Sequence, residues 1–158
     1  MLKCFLGCCL LVISTFGFAE PQTWYFVRHF EKQLGDNPSL TVTGKARAEA
    51  LAAFFDDKTL IHVYSTEYNR TLETATPVAA LKNISIEYYD PHNLAEFATK
   101  LKTQEHVLVV GHSNTTPELL GLMGGASITI EESDYGVVYI VKTNGVQLHS
   151  SSVHIPLK

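Results

Sequence analysis

Thr23-Trp24-Tyr25-Phe26-Val27-Arg28-His29 is the stretch on which the fold turns. Its first five residues are rich in β-formers and nearly continuously apolar, the pattern of a strand buried on both faces. An ionisable pair follows at once. The same grammar recurs along the chain: Val107-Leu108-Val109-Val110 closes with Gly111-His112, Ile61-His62-Val63-Tyr64-Ser65 runs into Thr66, and residues 84–89 end at Asp90-Pro91.

Between these strands the apolar period changes. Residues 43–55 place Ala46, Ala50, Leu51 and Phe54 on one helical stripe, and residues 94–101 repeat it with Leu94, Phe97, Ala98 and Leu101. A further helix is expected over residues 67–81, bent or interrupted by Pro77. Another is predicted to start at Thr116 as N-cap with Pro117 in first position, and to end at Gly124. Two last strands, residues 136–142 and 146–155, flank Asn144-Gly145, a two-residue hairpin signal. The order β-α-β-α-β-α-β-α-β-β predicts an α/β fold: a three-layer α/β/α sandwich with a mainly parallel sheet and a C-terminal antiparallel hairpin.

In open α/β sheets ligands bind beyond the carboxyl ends of the strands. Arg28-His29, Ser65-Thr66, Asp90 and His112-Ser113-Asn114 are therefore expected on one rim, with Arg70 reaching back from the helix after Ser65. Two histidines and two arginines there make an oxyanion pocket, because guanidinium forks match phosphate oxygens. Taken singly, each residue reads as a solvated strand end, a loop histidine or a surface arginine. Their joint placement points to a site.

The 158 residues suffice for one core and one site. Residues 1–19 stand apart: a basic start at Lys3, an apolar run over residues 4–18, and small residues at Gly17 and Ala19 have the form of a signal peptide cleaved after Ala19. An uncleaved N-terminal anchor is the alternative. The expected mature domain is residues 20–158, periplasmic or secreted and off the membrane once the leader is removed. All three cysteines (Cys4, Cys8 and Cys9) fall in that leader, so the mature domain is expected to carry neither disulfide nor thiolate nucleophile. The whole chain has a net charge of −4, more negative without Lys3, which argues against nucleic acid as a partner. No H-E-x-x-H or similar ligand spacing occurs, and neither metal nor cofactor is expected.

Val27-Arg28-His29-Phe30-Glu31-Lys32 resembles the Arg-His-Gly or Arg-His-Ala-Glu-Lys signature of the histidine phosphatase (phosphoglycerate mutase-like) superfamily. Leu40-Thr41-x-x-Gly44, Tyr64-Ser65-Thr66 through Arg70 to Ala75, and Val109 to Asn114 are similar to its following blocks. The resemblance implies that His29 becomes phosphohistidine while Arg28, Arg70 and His112 hold the phosphoryl oxygens. It further implies a donor carboxylate after the third strand, which makes Asp90 the candidate acid; Glu31, Glu67 and Glu118 are alternatives. Ser65, Thr66 and Ser113 are candidates to bond phosphate or to cap the helices that follow. Phe30 departs from the pattern, and its ring is expected either to narrow the pocket or to wall the leaving group.

The expected function is an exported, metal-independent phosphomonoesterase acting on a phosphorylated small molecule or phosphoprotein. A phosphohistidine or phosphoprotein phosphatase, and a catalytically silent phosphate-binding module, are the alternatives.

Overall fold

A computed structural model describes residues 21–157; the signal peptide expected over residues 1–19, its expected cleavage after Ala19 and the three cysteines lie outside the described residues. Six strands and four helices alternate as β1 (Gln22–Arg28), α1 (Val42–Phe55), β2 (His62–Ser65), α2 (Asn69–Lys82), β3 (Ile86–Tyr88), α3 (Leu94–Leu101), β4 (Val107–Gly111), α4 (Thr115–Leu122), β5 (Val137–Thr143) and β6 (Leu148–His154). They form one sheet in the order β3-β2-β4-β1-β5-β6. The first four strands are mutually parallel, whereas β5 runs antiparallel to β1 and β6 antiparallel to β5. The expected α/β sandwich with a terminal hairpin is the fold observed.

Alternation along β1 builds the two faces. Tyr25 and Val27 join a cluster with Leu51 and Phe55 of α1 and Val78 of α2. Trp24 and Phe26 join the opposite cluster with Phe97 and Leu101 of α3 and Leu119 and Leu120 of α4. Trp24 also donates its indole N–H to the Leu101 carbonyl at 2.8 Å, so burying the ring leaves no polar atom unpaired.

The Leu-Thr-x-x-Gly block acquires a physical reason. The Thr41 hydroxyl accepts from Gly44 N at 3.1 Å and caps α1. A Cβ on Gly44 would collide with the Glu31 carbonyl, so only glycine lets α1 approach the segment after His29. Arg47 then forks onto Glu31, with Nε 3.0 and 3.1 Å from its two oxygens, and gives Nη1 to the Ile155 carbonyl.

Three local expectations are corrected. Pro77 lies within an unbroken α2 rather than interrupting it. The cap position of α4 is Asn114, so Thr116 and Pro117 sit inside its first turn; Pro is tolerated there because first-turn amides have no helical acceptor. The hairpin loop has four residues, not two: Thr143 pairs with Leu148, and the Asn144 side chain accepts from Val146 N and Gln147 N. That side-chain bond replaces the tighter turn.

Candidate active site

Strand register assembles the rim. Arg28 is level with Gly111, and Ser65 with Val110, so the residues just beyond β1, β2 and β4 converge. His29 N donates to the Gly111 carbonyl at 2.9 Å, extending the ladder one step past β1 and holding His29 beside His112. The two imidazoles meet edge-on, with centroids 5.6 Å apart.

His29 is buried, and its Nδ1 lies 2.8 Å from the Phe30 carbonyl. A carbonyl only accepts, so Nδ1 carries the proton and Nε2 keeps its lone pair. Burial lowers the His29 pKa to about 3, helped by the positive charge of Arg28, by His112 and by the positive charge of Arg70, and opposed by the bond to Phe30. The ring is neutral at any physiological pH.

His112 is fixed from both sides. Arg70 Nη2 donates to Nδ1 at 3.4 Å, which leaves the proton on Nε2 to donate to Thr66 Oγ1 at 2.9 Å. Thr66 Oγ1 is in turn 2.9 Å from Thr71 Oγ1, whose own hydroxyl reaches the Thr66 and Tyr68 carbonyls. Burial, then Arg70 and Arg28, lower the His112 pKa to about 4, with Glu132 opposing.

Arg28 is 3% exposed and gripped by the loop between α4 and β5. Nη1 donates to the Glu131 and Asp134 carbonyls at 2.6 and 3.1 Å, Nη2 pairs with Glu132 at 2.9 Å, and the guanidinium lies 4.5 Å over the Tyr135 ring. Arg70 stacks over Tyr68 at 4.4 Å. The Nε–H groups of both arginines are buried and without an acceptor among the described residues. Two unpaired guanidinium donors beside a neutral imidazole are what an incoming oxyanion would satisfy.

Arg28, His29, Arg70 and His112 are thus brought together, and the other predicted residues are not all with them. Ser65 is fully buried and donates to the Thr66 carbonyl, so it stays out of the pocket while Thr66 takes the place facing His112. Ser113 donates to Glu132 at 2.7 Å, at the mouth of the site. Asp90 accepts from His92 N and lines a neighbouring cavity rather than the one bounded by Arg70 and His112. Glu31 is engaged by Arg47, and Glu118 is exposed on α4. Phe30 is corrected outright: its ring is fully buried in the core cluster with Leu40 and Ala48, and its N–H donates to Thr74. It neither narrows nor walls the pocket.

Glu132 and Tyr135 were missed by sequence reasoning. Their signal was the antiparallel addition of β5 to β1, which carries the residues preceding β5 to the C-terminal end of β1, with Val27 level with Val138.

A cavity of about 190 Å³ is bounded by Tyr68, Arg70, His92, His112 and Asn114. It adjoins one of about 440 Å³ across Tyr68, Pro91 and His92. Among the described residues no group of three or more His, Cys, Asp or Glu side chains could hold a metal ion.

Residues 24–99 match the model of the histidine phosphatase superfamily (branch 1). No curated protein matches the chain. Solved structures do. A candidate alpha-ribazole-5'-P phosphatase from Escherichia coli K-12 superposes with a TM-score of 0.69 at 15% identity, covering 84% of this chain and 96% of that one. A candidate phosphohistidine phosphatase SixA from Agrobacterium tumefaciens gives 0.66 at 19% identity, over 84% and 97%. A protein histidine phosphatase SixA complexed with tungstate gives 0.68 at 15%, over 84% and 96%. At these identities the likeness is one of fold.

Proposed function

We propose, from the match of residues 24–99 to the histidine phosphatase superfamily model, that the chain is a metal-independent phosphomonoesterase working through a covalent phosphohistidine at His29. The observation that carries the reading is the state of His29: Nδ1–H committed to Phe30, Nε2 free to attack, and two buried guanidinium Nε–H donors left without acceptors beside it.

The steps balance. His29 Nε2 attacks phosphorus as the ester P–O bond breaks, and the leaving oxygen takes a proton from Asp90. Arg28, Arg70 and His112 neutralise the charge spread over the equatorial oxygens. Water then attacks the phosphohistidine, returning a proton to Asp90 and releasing phosphate from neutral His29. Asp90 enters because it lines the cavity that adjoins the one bounded by Arg70 and His112, the space open to a leaving group.

Purified protein should hydrolyse p-nitrophenyl phosphate in the presence of EDTA, and His29→Ala should lose at least about 10³-fold of kcat. Full activity in that variant refutes the covalent mechanism; phosphate binding without turnover leaves the silent module. A protein phosphohistidine is the second substrate reading, favoured by the open, uncapped cavities and the fold shared with the SixA proteins. Dephosphorylation of a phosphohistidine-bearing protein faster than of aryl phosphate would select it.

Export belongs to the same proposal. N-terminal sequencing of protein recovered outside the cytoplasm should begin at Glu20; retention of Met1 speaks against cleavage.

A further inference from the structure

We infer that the larger cavity beside the phosphate cluster accepts a cationic leaving group, so that the preferred substrates are phosphomonoesters of small alcohols carrying an amine or quaternary ammonium. The inference rests on the phosphatase reading and names the substrate class of that same site.

Position comes first. The cavity of about 440 Å³ lies between the loop after β2, which supplies Glu67 and Tyr68, and the segment after β3, which supplies Asp90, Pro91 and His92. Tyr68, Pro91 and His92 also line the smaller cavity bounded by Arg70 and His112. Tyr68 is therefore the partition between the two, and a group attached to a phosphate held by Arg70 and His112 extends past it into the larger volume.

The walls there reverse the chemistry of the phosphate cluster. Tyr68 and Tyr88 present phenol rings, Glu67 a carboxylate, and no Lys or Arg lines the cavity. The Glu67 carboxylate makes neither a hydrogen bond nor an ion pair among the described residues, whereas Glu31, Glu87 and Glu132 each have a basic partner. A second anionic group on the substrate would be repelled. An uncharged alkyl group would take Glu67 out of water with no compensation. A monocation gains from both the aromatic faces and the carboxylate.

The charge pattern as a whole is dipolar. Arg28 and Arg70 lie on the phosphate side and Glu67 on the leaving-group side, a match for a substrate with a phosphate at one end and an ammonium at the other. One carboxylate suffices to balance one ammonium, and Glu67 supplies it.

The test uses the full chain and two matched series. kcat/KM is measured for ω-aminoalkyl phosphates of two to six carbons and for n-alkyl phosphates of the same heavy-atom count, and Kd for the corresponding phosphonates by calorimetry, which needs no turnover. At one length or more the ammonium member should be favoured by on the order of tenfold in both readouts. Glu67→Gln should bring that ratio close to unity, and high salt should shrink it. Equal or better performance of the alkyl member at every length overturns the inference, as does a ratio unchanged in Glu67→Gln. Failure of the phosphatase reading is separable: p-nitrophenyl phosphate would go unhydrolysed while the phosphonates still report the ammonium preference.

Discussion

His29 and His112 carry a proton deficit that the folded state imposes. An unfolded histidine titrates near 6.5, whereas these sit at about 3 and about 4 in the fold. Between those values and 6.5 the unfolded chain binds more protons, so the unfolding free energy falls as pH drops through that window and is untouched by these groups above it. At pH 4.5 His29 alone should account for about 2 kcal/mol. Urea midpoints at pH 7 and 4.5 test this, the acid loss being smaller in His29→Ala. Asp90→Asn should slow alkyl phosphates at least about tenfold more than p-nitrophenyl phosphate, whose leaving oxygen barely needs a proton; equal slowing removes Asp90 from the acid role. Glu132, held below the usual carboxylate range by Ser113 and Arg28, is ionised and competes for Arg28. Glu132→Gln should tighten inhibition by inorganic phosphate severalfold, since Arg28 keeps its bonds to the Glu131 and Asp134 carbonyls. Arg28, His29 and His112 were legible because each ends or follows a strand, and Arg70 because it opens the helix after β2. Glu132 and Tyr135 were not, because they reach the site through the antiparallel docking of β5, which no local pattern encodes.

At the level of elements, β4 and α4 meet at Gly111. A Cβ there would come within 2.7 Å of Thr115 Oγ1 and 2.8 Å of Tyr89 Oη. Thr115 Oγ1 accepts from His112 N, so displacing it moves the imidazole that Arg70 and Thr66 hold. Gly111→Ala should cost roughly 1–3 kcal/mol of stability and a larger share of kcat than of KM. Gly121, in α4 with open space around it, is the contrast: Gly121→Ala should gain up to about 1 kcal/mol. Thermal melts and steady-state kinetics on the pair read both effects. Periodicity predicted every element here, and the differences lay in the hairpin loop, at the start of α4 and at one interior proline. Asn144 widened the hairpin loop, Asn114 took the cap position expected of Thr116, and α2 ran on through Pro77.

Across the whole molecule, β1 and β4 form the middle of the sheet, and Phe26, Val27, Val109 and Val110 are among its most buried residues. Their amides should exchange hydrogen slowest, close to the rate set by global unfolding, while β6, exposed along its length, exchanges early. Exchange measured by NMR decides it; fast exchange at Val109 would show that the site sits on a locally unstable frame. Element order and the sandwich were readable from apolar patterning, but the order β3-β2-β4-β1-β5-β6 was not, because patterning says that a strand is buried and not which strand lies beside it. That order has a consequence for synthesis. Of the six strands β1 leaves the ribosome first, yet both its neighbours, β4 and β5, are encoded far downstream. At about 5–20 residues per second the Trp24–Val27 segment waits several seconds for a partner. A gene cut before residue 107 keeps the β2–β3 pair but leaves the apolar β1 without either of its neighbours.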